Sequence, residues 1–279
     1  AAAVALALAG GVEAGEADLD GLGGGDRVGV PVLLDGQQAA PLNEQTQTLN
    51  ASASQNPWLD LAYQLGRIAR LTAWALLPLV LLWHSRISAR AMGLAVPPGR
   101  GRWPAVRGDF ARGVALTALI GIPGLALYLG AVAIGANATV EASGLGASWW
   151  RIPVLLTSAL ANSGAEELVV VVYLAIRLRQ LGWSVPAVIA FSAVLRGSYH
   201  LYQGFGGGLG NLAMGAVFVA FWLAFRRAWP LIWAHFLLDA FGFEPRFFLE
   251  ARLFDALGFG ALSGETLLLD AFSLDPRLF

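Results

Sequence analysis

The 279-residue chain is 57% hydrophobic and only 13% charged, whereas an ordinary soluble domain is about a quarter charged, so the composition points to a membrane as its solvent. A formal net charge of −1 excludes nucleic-acid binding through a broad basic surface. The absence of cysteine excludes disulfides, thiolate nucleophiles and cysteine-ligated metals.

Ala1–Gly10 is apolar and begins without Met; it reads as the remnant of a signal peptide or of a truncated first helix. Residues 11–57 are rich in Gly, Asp, Gln and Asn without a sustained period and read as an acidic loop. From Trp58 onward, apolar segments approach the roughly 20 residues that a helix needs to cross the hydrocarbon core. They are Leu59–Trp83, Gly113–Gly135, Ile152–Ile176, Val185–Tyr202, Leu209–Phe225 and Trp229–Phe243. The glycines at 204 and 206–208 read as a flexible turn between two of these spans. Residues 244–279 return to mixed charge and form a short extramembrane tail. The expected fold is an all-α, polytopic transmembrane helix bundle of about six spans, covering residues 58–243 and flanked by a polar N-terminal loop segment and a short C-terminal tail. Arg clusters follow the first, third and fifth spans, so the positive-inside rule puts 85–112 and 177–182 in the cytoplasm and 137–149 outside.

The chemistry is carried by ionisable residues inside the apolar spans. Glu166 and Glu167 lie midway along the third, His200 near the end of the fourth, and His235 and Asp239 in the sixth. Each charge at the centre of a membrane helix costs roughly 2.5–3.5 kcal/mol on insertion scales, which forces these groups to pair or to line one wet cavity. His235 and Asp239 share a helix face, as do Arg196 and His200, being four residues apart. Adjacent glutamates point about 100° apart, so one can face a cavity while the other braces a neighbouring helix. A carboxylate with an imidazole can deprotonate water, and a second imidazole beside a polar side chain can stabilise an oxyanion; peptide hydrolysis needs both.

In this order and combination the residues resemble the CAAX protease and bacteriocin-processing enzyme family, which includes the type II CAAX prenyl endopeptidases. Its marks are a Glu-Glu pair with Arg four residues on, a His four residues after an aromatic, and a His followed four residues later by Asn or Asp. Glu166-Glu167, His200 and His235–Asp239 match, within a similarity extending over about 42–243; Val171 stands at the motif Arg position and Arg196 at the aromatic position. The resemblance implies an intramembrane endopeptidase in which Glu166 and His200 activate water while His235 and Asp239 form the oxyanion site. No cofactor is certain; a divalent metal such as zinc, if present, would be held by Glu166, His200 and His235. The implied partners are the lipid bilayer and a peptide or membrane-anchored protein substrate, and the implied location is the cell membrane. Arg196, one helical turn from His200, is expected to replace the missing motif Arg by bracing Glu167.

The sequence has no HExxH, no GxSG ahead of a distal His and no presenilin-like pair of membrane Asp, which sets other intramembrane proteases aside. The competing reading is a non-catalytic membrane scaffold, an immunity-type protein or a transporter that keeps the same buried polar cluster.

Overall fold

The computed structural model describes residues 45–141, 143–146 and 148–243. The expectations for Ala1–Gly10, for the acidic segment up to residue 44 and for the tail 244–279 lie outside the described residues. Among the described residues seven helices follow one another: α1 (Pro57–His84), the short α2 (Ala89–Met92), α3 (Arg102–Ala133), α4 (Arg151–Gln180), α5 (Val185–Tyr199), α6 (Phe205–Phe225) and α7 (Trp229–Phe243). α1, α3, α4 and α6 are long and apolar enough to cross a membrane, whereas α5 is an apolar helix of 15 residues. α5 stops at Tyr199 rather than Tyr202 because the chain tightens into a 3-10 turn at Leu201–Gln203, which leaves His200 at the helix end.

Local signals explain the boundaries. Asn56 caps α1 by accepting from the N–H groups of Trp58 and Leu59, with Pro57 in the first turn. Ser184 caps α5 in the same way through the Ala187 N–H. Leu76, Val80 and Trp83 of α1 and Leu119, Ile122 and Leu125 of α3 are exposed; such a surface suits lipid tails, since soluble monomers rarely leave so large an apolar patch to water.

Between the helices, small residues allow close approach, as in other membrane bundles. A Cβ at Gly197 of α5 would stand 2.9 Å from both Gly208 O and Leu212 Cβ of α6, and one at Gly113 of α3 would stand 2.7 Å from Trp233 Cβ of α7. The same logic corrects the reading of the glycine run. Residues 205–208 are the first turn of α6, and a Cβ at Gly206 would meet Ala131 Cβ at 2.6 Å. These glycines are there for packing against α3 and the Leu201 turn. Gly204 alone needs its backbone freedom, at φ 109°.

Two three-residue strands, β1 (Thr46–Thr48) and β2 (Thr139–Glu141), pair in parallel with Thr46 opposite Thr139. They leave the expected all-α bundle intact, and at three residues each they are too short for an alternation to be read in the sequence. With the Asn137–Gly204 bridge and the Gly144 N–H to Asn50 O bond of 3.0 Å, they tie together the connections 45–56, 134–150 and 200–204 at one end of the bundle, here termed the strand face. At the opposite, arginine face, Ala228 N–H donates to Gly93 O (3.0 Å) and Arg177 Nη2 to Ser85 Oγ (2.7 Å). Arg227 clamps the buried Asp109 there from two nitrogens, joining the α6–α7 connection to α3.

Candidate active site

The glutamate pair sits where α4 changes its winding. Helical α geometry runs from Arg151 to Glu166, and Glu167–Tyr173 form a seven-residue π-helical stretch before α geometry resumes. Such wide turns are rare and frequent at functional sites, because they reaim side chains and loosen the backbone ladder. Ser192 of α5 donates to Val170 O at 2.8 Å, so a buried hydroxyl from the neighbouring helix satisfies a carbonyl of the π stretch.

One turn further along the same face of α5, Arg196 is wholly buried and its Nη2 donates to Glu167 Oε1 and, at 3.3 Å, to Glu166 Oε2. Its guanidinium lies 5.6 Å from the Phe218 ring centroid of α6, a cation–π position. Tyr199 donates to Glu166 Oε2 at 2.7 Å. His200 Nε2 stands 3.8 Å from the same oxygen, too far for a direct hydrogen bond, and neither of its ring nitrogens has a partner. All these contacts of Glu166 go to Oε2.

From α7, His235 Nδ1 lies 2.7 Å from Glu167 Oε1, and its Nε2 lies 3.5 Å from Asp239 Oδ1. Asp239 also accepts from Asn162 Nδ2 at 3.1 Å, which links α7 back to α4. The structure thus brings Glu166, Glu167, Arg196, His200, His235 and Asp239 into one chain of contacts across α4, α5 and α7. Val171 is fully buried within the apolar core and touches none of this chemistry.

A cavity of about 450 Å³ borders the cluster; Glu166, His200, His235 and Asp239 line it, together with Asn50 and Tyr202 of the strand-face connections. Glu167 and Arg196 do not line it and lie behind, so the two glutamates divide the roles that their 100° offset allowed: one faces the cavity and one braces the helices. Arg67 and Arg70 of α1 also line the cavity. Arg67 Nη1 donates to Ala51 O at 3.2 Å and so holds the segment ahead of α1 in place.

Tyr199, Asn162 and Ser192 were missed by the reading of the sequence. Their signal was available as spacing: Asn162 precedes Glu166 by four residues, Ser192 precedes Arg196 by four, and Tyr199 follows Arg196 by three, each within the reach of a shared helix face. Asn137, which begins a glycosylation-like Asn-Ala-Thr, is fully buried, donates to Ala138 O and accepts from Gly207 N–H.

Among the described residues, no three His, Asp or Glu side chains are grouped to hold a metal. Glu166, His200 and His235 share the cavity; the contacts of Glu166 with Arg196 and Tyr199 fall on Oε2, and that of His235 with Glu167 falls on Nδ1. Nothing in this arrangement supports a metalloprotease.

Residues 148–241 match the family model described as type II CAAX prenyl endopeptidase Rce1-like. The match bears out the resemblance to the CAAX protease family, begins later than residue 42, and contains every candidate site residue. At the family level it implies a membrane endopeptidase. No curated protein and no solved structure matches the chain.

Proposed function

We propose that the chain is a multi-pass cell-membrane endopeptidase that hydrolyses a peptide bond of a membrane-associated peptide or protein by water that Glu166 and His200 activate. The observation that carries this reading is the division of the glutamate pair. Glu166 faces the cavity beside the unpartnered nitrogens of His200, with its contacts confined to Oε2, while Glu167 is committed to Arg196 and His235.

In this mechanism a water sits between Glu166 Oε1 and His200. Glu166 takes a proton from it as the water oxygen bonds to the scissile carbonyl carbon. His235, whose Nδ1 faces Glu167, donates from Nε2 to the carbonyl oxygen as negative charge develops there, and Asp239, 3.5 Å from that nitrogen, completes the oxyanion site as a donor in its protonated form. Collapse of the tetrahedral intermediate breaks the C–N bond, and the proton held by Glu166 passes to the leaving amine. Arg196 and Tyr199 fix the orientation of Glu166 from behind and touch no substrate.

Val171 at the motif Arg position would favour a non-catalytic scaffold; the guanidinium of Arg196 against both glutamates supports the hydrolytic reading instead. The test is cleavage of a peptide library by the detergent-purified full chain and by its Glu166→Ala variant. The expected result is cleavage at least about 100-fold slower in the variant, the lower bound for losing a positioned acid–base group. Equal cleavage by both proteins would refute the assignment of Glu166, and a stable, monodisperse wild type that cuts nothing would favour the scaffold.

A further inference from the structure

We infer that the cavity is entered from the non-cytoplasmic side of the membrane, so that the substrate is a peptide segment presented on that side rather than a cytoplasmic chain. The inference rests on the reading of the site as hydrolytic only for the word substrate; the sidedness itself rests on charge and packing.

The arginines sort by face. Arg86, Arg90 and Arg100 lie on the α1–α3 connection, Arg177 and Arg179 in the last turn of α4, and Arg226 and Arg227 between α6 and α7, all at the arginine face. The connections of the strand face, 45–56, 134–150 and 200–204, contain no Arg or Lys, and Arg151 begins α4 there. Arg27 precedes the described residues and Arg246, Arg252 and Arg277 follow them; these four are fewer than the seven arginines of the arginine face named above. Basic residues close to helix ends stay in the cytoplasm during insertion, and it is this count rather than net charge that orients a bundle. The arginine face is therefore cytoplasmic.

The cavity belongs to the other face. Its loop-borne lining residues, Leu49, Asn50, Asn137, Tyr202 and Gln203, all come from strand-face connections, and none comes from the arginine face. Toward the arginine face the cluster is closed by packed apolar side chains, among them Val171, Val172, Phe218, Trp222 and Leu231, each fully buried. A peptide reaching Glu166 from the cytoplasm would have to part this core. On the strand-face side the cavity is bordered by the first turns of α6, at Gly206, Gly207 and Gly210.

The chain has no cysteine, so single introduced cysteines report position directly. The full chain would be expressed in cells as Tyr202→Cys in the cavity wall, Leu201→Cys on the same face, and Arg100→Cys on the opposite one, then treated with a membrane-impermeant maleimide before and after permeabilisation. The expected result is labelling of positions 201 and 202 in intact cells and of position 100 only after permeabilisation. Labelling of position 100 in intact cells, alone or with the others, overturns the orientation. Labelling of 201 without 202 overturns the entry route. Labelling needs no catalysis, and peptide cleavage in detergent needs no orientation, so either reading can fail while the other stands.

Discussion

Replacing Arg196 tests the construction behind the site. Arg196 and Glu167 are both fully buried, and the guanidinium reaches both glutamates through Nη2 alone, with Nε and Nη1 unpartnered. Removing one partner from a buried ion pair costs about 3–5 kcal/mol, because the other charge is left uncompensated; with a single donor nitrogen engaged, the lower end of that range is expected for Arg196→Met. Glu167→Gln removes one of the two carboxylates that Arg196 contacts and leaves Glu166 in place, so its cost is smaller, about 1.5–3 kcal/mol as for a hydrogen bond to a charged group. In the double variant the second change no longer strands a guanidinium. The two effects should therefore fall short of their sum by about 1–3 kcal/mol, the coupling typical of residues in one network. The measurement is reversible unfolding in mixed micelles for wild type, both single variants and the double. Additivity within about 0.5 kcal/mol, the behaviour of independent sites, would refute the bracing of Glu167 by Arg196 and with it the compatibility of Val171 with an ordered site.

Tyr199→Phe removes the 2.7 Å buried hydrogen bond to Glu166 Oε2; unfolding should become easier by about 1.5–3 kcal/mol, as for a bond to a charged group, and kcat should fall with KM little changed, because Tyr199 orients Glu166 and touches no substrate. Chelators should leave peptide cleavage by the purified protein unchanged, and inactivation that zinc reverses would overturn the metal-free mechanism. Gly206→Leu would press against Ala131 and Asn137, whose nearest atoms lie 2.6 and 3.2 Å from an added Cβ, and should destabilise the protein by about 1–3 kcal/mol as an overpacked contact does; an unchanged melting temperature would show that α6 is not seated there.

What could be read from the sequence was set by whether a feature repeats or is isolated. The long uncharged run in 113–135 becomes the second half of α3, and the apolar run 59–83 lies within α1, because hydrophobic length is fixed by the bilayer and needs no knowledge of neighbours. The first turns of α3 and α6 were not legible: Arg107 and Asp109 look like loop residues until Arg227 is seen to reach Asp109, and glycines look like a turn until Ala131 is seen against Gly206. The candidate site was legible because five ionisable side chains in apolar spans have few affordable arrangements. Their partners were not, since Tyr199, Asn162 and Ser192 are residue types that occur in membrane helices without chemical consequence. The π stretch left no sequence signal that we can name.

The arginine on α5 is fitted by residues of two other helices. A side chain at position 171 points into the core that contains Val172, Phe218 and Leu231, where a guanidinium would lie among apolar groups. Moving the cation to position 196 requires room on α5 facing α6, and that room is supplied by Gly215: a Cβ there would stand 3.0 Å from Ala193 Cα and 3.3 Å from Arg196 Cβ. Phe218, three residues on and so on the same face of α6, then provides the ring beside which the guanidinium lies. Ser192, on the Arg196 face of α5, satisfies the Val170 carbonyl next to the position that the valine fills. Val171, Arg196, Gly215 and Phe218 therefore form one fitted set.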